Sequence, residues 1–163
     1  MESWVTERAP QTGWSLSAVV PLSFAPDAAQ AAAAIESLWQ QLCDVLGTTL
    51  DSSDYEFVGV STPADDLVPP HRISYAATAL PRVASDAPDS LATFSLEGGP
   101  YVVFSYRGPL AGLDDFYNAA YMREMPALGL SSRDGQHLEK YVAAVTDSDI
   151  AIEAWIPIES PSV

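Results

Sequence analysis

Lysine is almost missing from this sequence: Lys140 is its lone example, and all basic residues together number seven against twenty-two acids. Proteins bind nucleic acid by releasing counterions from phosphates with Lys and Arg, so a formal charge of −15 argues against direct DNA or RNA binding. Cysteine is equally scarce. Cys43 stands alone, which excludes an internal disulfide and a thiolate metal cluster, and it falls among apolar helical positions where an inert thiol is the default. His71 and His137 lie far apart with no H-x-x-x-H or H-E-x-x-H spacing, so no metal is expected. No apolar run approaches the roughly eighteen residues of a membrane helix. The segment Met1–Thr12 is polar and lacks a basic-then-apolar signal pattern, so a cytoplasmic location is expected. Gly98-Gly99 precedes no helix directly and reads as a turn or bulge instead of a phosphate loop, and no cofactor is expected.

Apolar residues, by contrast, are plentiful. At 48% hydrophobic over 163 residues, the chain can bury the core of one domain. Residues 1–13 read as a flexible leader and 14–163 as a single domain. Within it, WSLSAVVPLSF at 14–24 suggests a strand that Pro21 places at an edge or ends. Ala28, Ala31, Ala32, Ile35, Leu38, Trp39, Leu42, Val45 and Leu46 recur at i, i+3, i+4, i+7 spacing and predict a helix. Pro26 and Asp27 open it and Gly47 stops it. Strands are predicted over 55–60 and 72–80. After a loop near 81–91 come a short strand, a strong β run at 101–107 and a second helical stripe of Leu113, Phe116, Tyr117, Ala120 and Tyr121. A hairpin of 137–145 with 150–158 ends the series. The order strand, helix, strand, strand thus occurs twice, over about 14–80 and 92–158, giving an α+β class.

Several segments make the chain recognisable. GGPYVVFSYRGPL at 98–110, MPALGL at 125–130, HLEKY at 137–141 and IEAWIPI at 152–158 carry the likeness. LWQQL at 38–42, FVGVSTPADD at 57–66 and HRISYAA at 71–77 add to it. In order and spacing they resemble the GyrI-like small-molecule-binding family, which includes gyrase-inhibitor-like proteins and effector domains of AraC-type and MerR-type regulators. The resemblance implies two strand-helix-strand-strand repeats with pseudo-twofold symmetry. It further implies an antiparallel sheet with two helices on one side and a ligand groove on the other. A groove glutamate is implied to read flat, lipophilic cations, and Glu139 matches its position. The first repeat departs from the pattern, lacking an arginine and a Gly-Pro-Tyr turn.

The strand pattern permits an independent reading of the site. Ile150, Ile152, Ala154, Ile156 and Ile158 share one face, which is expected to pack on the helices, leaving Glu153 and Trp155 on the other. If Leu138 and Val142 join the isoleucines, Glu139 and Tyr141 stand beside Trp155 on the helix-free side; a one-residue slip exchanges the faces. A carboxylate between rings suits an organic cation through charge and cation–π attraction. Tyr75 and Phe104 lie on strands implied to line the groove, while Trp39 and Tyr117 fall on helical stripes where core packing competes with ligand contact. Glu139 has a plain alternative as an exposed strand residue paired with Lys140 or Arg133.

Three functions follow. The first is a stand-alone binder of cationic, aromatic small molecules. The second is a hydrolase opening strained electrophilic rings, with Glu139 as general acid or base and Tyr141 hydrogen-bonding the substrate. The third is an acidic protein that occupies gyrase or another DNA-binding partner. Its acids, such as Asp51, Asp54, Asp65, Asp66, Asp114 and Asp115, are scattered among different elements.

Overall fold

The computed structural model describes residues 1–21, 29–62, 72–144 and 149–160. His71, Asp65, Asp66 and the expected helix opening at Pro26-Asp27 lie outside them. The chain runs β1 (Ser3–Arg8), β2 (Gln11–Pro21), α1 (Ala29–Leu46), β3 (Tyr55–Thr62), β4 (Arg72–Pro81), β5 (Ala92–Leu96) and β6 (Gly99–Pro109). A short 3₁₀ turn then leads into α2 (Leu113–Ala119), a π-helical stretch at Ala120–Glu124 and α3 (Met125–Ala127), before β7 (His137–Ala144) and β8 (Asp149–Pro157).

All eight strands join one antiparallel sheet in the order β1-β6-β8-β7-β3-β4-β2-β5. The expected leader is therefore a strand. Ser3–Arg8 mixes partly buried and exposed residues and covers the edge of β6, which would otherwise be left unpaired.

Two short links shape the sheet. Residues 9–10 join β1, at one edge, to β2 near the other, and residues 97–98 join β5 at that far edge to β6. The two turns pack together. Gly98 adopts φ 77°, and a Cβ there would lie 2.6 Å from the Arg8 carbonyl oxygen, so only glycine fits. Drawing the edges together curls the sheet, and the helix-free face buries a core of its own. Val58, Val60, Ala76, Leu80, Leu96, Tyr101 and Leu138 form it, with Phe94 and Trp155 packed against them. Gln136 stitches it closed: its amide donates to Ser95 O at 3.0 Å, and its Oε1 accepts from Glu97 N at 2.9 Å.

The other face carries the helices over two separate cores. α1 seats Leu38, Trp39 and Leu42 on Trp14, Phe57, Tyr75, Ala77 and Ala79, and ends at Gly47 with φ 64°. Val45, counted in its stripe, is 39% exposed. α2 and the turns after it seat Phe116, Ala120 and Met125 on Val102, Phe104, Ala154, Ile156 and Ile158. Between the two cores run the central strands β7 and β3.

One partly buried ionic cluster lies on the helix-free face. Arg8 pairs with Glu56 of β3 and stacks over the Trp155 ring at 5.1 Å, and Lys140 Nζ reaches Glu56 at 3.6 Å. Burial alone would raise the Glu56 carboxyl, but the Arg8 hydrogen bond and charge, with Lys140, hold it below the usual value. Its contribution to stability is present above the ordinary carboxyl pKa and is lost as pH falls through the lowered one. Arg8→Ala is expected to lower unfolding free energy by about 2 kcal/mol at pH 7, and by less near pH 3. Urea titrations at the two pH values check this.

Candidate functional site

Every second residue of β7 faces the helices, and the pairing fixes which ones. Glu139 lies opposite Gly59 of β3 on one side and Ala154 of β8 on the other, and Ala154 belongs to the core under α2. His137, Glu139 and Tyr141 therefore point between the two helical cores, whereas Leu138 and Lys140 point to the concave face.

Each flank of this strand is furnished by one core. On the α1 side, Trp39 Nε1 donates to the Tyr75 hydroxyl at 3.0 Å, and the Trp39 ring meets Tyr141 edge-on at 5.3 Å. The Tyr75 and Tyr141 hydroxyls bond to each other. On the α2 side, Tyr117 hydrogen-bonds the Glu139 carboxylate, and Tyr121 stands by the His137 ring at 6.2 Å. Gly59 makes the floor. A Cβ there would collide with the Tyr75 hydroxyl and lie 2.9 Å from Cζ, so the missing side chain is what lets that hydroxyl reach the centre of the sheet.

The electrostatics are one-sided. Burial pushes the Glu139 carboxyl up to about 7, and the Tyr117 hydrogen bond pulls it back only partly. No ion pair among the described residues reaches it. His137 does not supply the missing charge: burial holds its pKa below the usual value against the opposing Gly135 carbonyl, and Arg133 lowers it further. Tyr121 is pushed up to about 12 by burial. Burial first, and the Glu139 charge after it, also raises Tyr117 and Tyr141, so these hydroxyls stay protonated donors at any physiological pH.

Of the residues singled out from the sequence, Glu139, Tyr141, Tyr75, Trp39 and Tyr117 come together here. Phe104 is on the same face, two strands from Glu139, and fully buried in the core with Phe116. Trp155 does not join them. It lies opposite Leu138 on the concave face, packs on Tyr101 at 5.9 Å and donates to Glu153 at 3.1 Å. The expected placing of Glu139 on the helix-free side is thus corrected: it shares its face with the isoleucines and the helices. The cause is twofold. The curl buries Leu138 on the concave face, and a bulge between Tyr141 and Ala143 leaves Val142 54% exposed instead of in the isoleucine row.

The structural role of Gly59 and the closeness of Tyr121 and His137 were not anticipated from sequence. A lone glycine between two valines of a strand was the available signal. Two surface hollows lie elsewhere. One is lined by Ser53, Tyr55 and Arg82, the other by Glu36, Trp39, Cys43 and Leu50, so the second touches the site only through the Trp39 side chain.

An enclosed carboxyl with a raised pKa links stability to pH with a defined sign. An unfolded glutamate ionises near 4.5, whereas folded Glu139 holds its proton to about 7. Its stabilising share is therefore complete below pH 4.5 and lost as pH rises through 7. Glu139→Gln is expected to become more stable than wild type by up to about 3 kcal/mol as pH rises from 4.5 to 7.5. Thermal melts of both proteins across that range test it, and parallel curves would contradict it.

Comparison with known proteins places this geometry. The fold superposes on SAV2435 bound to tetraphenylphosphonium with a TM-score of 0.71 and 17% identity, covering 98% of this chain and 94% of that one. It also matches a hydrolase from Listeria innocua, with a TM-score of 0.58 and 12% identity over 97% of this chain and 92% of that one. In sequence, 65 residues are 42% identical to the transcriptional regulator Rob of Salmonella typhimurium, which is 39% of this chain and 22% of that protein. The chain thus aligns with about a fifth of the length of that relative. Among the described residues, no helix is long and apolar enough to cross a membrane. Residues 18–159 match the GyrI-like small molecule binding domain, and the chain belongs to that family.

Proposed function

We propose that the protein binds lipophilic organic cations in the cleft between its two helical cores, with Glu139 reading the charge. One observation carries the reading: a half-buried carboxylate whose only described hydrogen-bond partner is Tyr117, with no cation beside it and rings on both walls. Such a group is costly until a cation arrives. At about 4 Å and an effective dielectric of about 20, the attraction is worth roughly 4 kcal/mol. Each ring face adds about 0.5–2 kcal/mol. These sums suit micromolar affinity and broad selectivity, because a charge and flat surfaces specify little else. The tetraphenylphosphonium held by SAV2435 supports the ligand class.

A second reading rests on the same carboxyl. With a pKa of about 7, Glu139 can take a proton from water at neutral pH while the water oxygen bonds to a strained ring carbon. The ring bond breaks, and the departing atom then takes up a proton. The Listeria innocua hydrolase of this fold favours it. Incubation with an epoxide or activated cyclopropane, followed by mass spectrometry, separates the readings: a water-added product formed by wild type and not by Glu139→Gln supports hydrolysis.

For the binding reading, tetraphenylphosphonium is the probe. A permanent cation favours the ionised carboxyl, so affinity is expected to rise as pH increases towards 7 and to level off above it. Glu139→Gln is expected to weaken binding at pH 8 by about 10- to 100-fold and to abolish the pH dependence. Calorimetry at pH 5.5, 7 and 8 measures both, and equal affinities in the two proteins would overturn the assignment.

A further inference from the structure

The aromatic wall on the α1 side is also a directed chain of donors. An indole N–H can only donate, so the 3.0 Å contact from Trp39 Nε1 makes the Tyr75 oxygen an acceptor. Tyr75 is 2% exposed, and its hydroxyl sits over Gly59 where no side chain intervenes. A hydroxyl that deeply buried must place its own proton on an acceptor, and the described oxygen it bonds is that of Tyr141. The Trp39 ring meets the Tyr141 ring edge-on at 5.3 Å and holds it in place. The Tyr141 oxygen therefore accepts from Tyr75 on the α1 side. Its proton has no described acceptor there and is left facing the cleft, one β-strand repeat along from Glu139.

We infer that the Tyr141 hydroxyl is a second recognition element of the cleft, held as a donor by the Trp39–Tyr75 relay. Its preferred ligands are then cations carrying a carbonyl or ether oxygen beside the charged centre. This rests on the binding reading above and narrows it: Glu139 selects for positive charge, and Tyr141 selects among cations for an acceptor atom. Tyr75 is a positioning residue in this scheme, because it acts only by fixing the direction of the Tyr141 proton.

The test uses two probes of nearly equal shape, (4-acetylphenyl)triphenylphosphonium and (4-isopropylphenyl)triphenylphosphonium, titrated into the same proteins at pH 8. Wild type is expected to bind the acetyl compound about fivefold more tightly, the worth of one neutral hydrogen bond. Tyr141→Phe should erase that preference, so that the variant binds the two compounds with equal affinity. Tyr75→Phe should reduce it by freeing the Tyr141 proton to turn. A loss of packing would weaken both probes together, so the ratio between them isolates the hydrogen bond. Equal binding of the two cations by wild type, or a preference that survives in Tyr141→Phe, would overturn the inference and leave the cation reading standing. Failure of both cations to bind would remove that reading and this inference with it.

Discussion

A carboxylate taken out of water without a positive partner is among the least favourable groups a small domain can hold, and this fold is arranged around one. Glu139 touches the Tyr117 hydroxyl and stands among rings, with its pKa raised to about 7. Keeping it there requires walls that do not collapse onto it or let solvent through. Two independent cores provide them: α1 anchors Trp39 and Tyr75, and α2 anchors the element that bears Tyr117. The carboxylate sits on the central strand between the cores, with Tyr117 of α2 hydrogen-bonded to it.

The same strand shows how differently a charge behaves when it is satisfied. Lys140, next in sequence, points to the opposite face and joins Arg8 in pairing with the Glu56 carboxylate. That cluster lowers the Glu56 pKa, whereas burial raises that of Glu139. Two glutamates on adjacent strands are thus driven in opposite directions by which side of the sheet they occupy. One serves the fold, tying the β1 edge to the middle of the curled sheet. The other has no ion pair among the described residues.

Much of this was legible in the residues. The α1 stripe, the Gly47 stop, the strength of β6 and the closing hairpin all follow from periodicity and turn chemistry, whereas Glu139 and Tyr75 were singled out through the family resemblance, and core packing competed for Trp39 and Tyr117. The face of β7 did not follow. Apolar patterning locates one buried face, but a curled sheet buries both, so Leu138 is as well buried against Val58 and Val60 as the isoleucines are under α2. Nor does local pattern reveal a strand that exists because a distant edge needs covering, as β1 does for β6, or a bulge at Val142. A polar residue on the apolar face looks like an error until the site is seen, which is where local rules are expected to fail.

The most direct measurement is the ionisation of Glu139 itself. Carbon-13 NMR of the side-chain carboxyls, with Glu139 assigned from the glutamine variant, reads its pKa with and without tetraphenylphosphonium. The account predicts a midpoint near 7 in the free protein and a marked fall when the cation is added. A midpoint near 4.5 that does not move with the cation would contradict it.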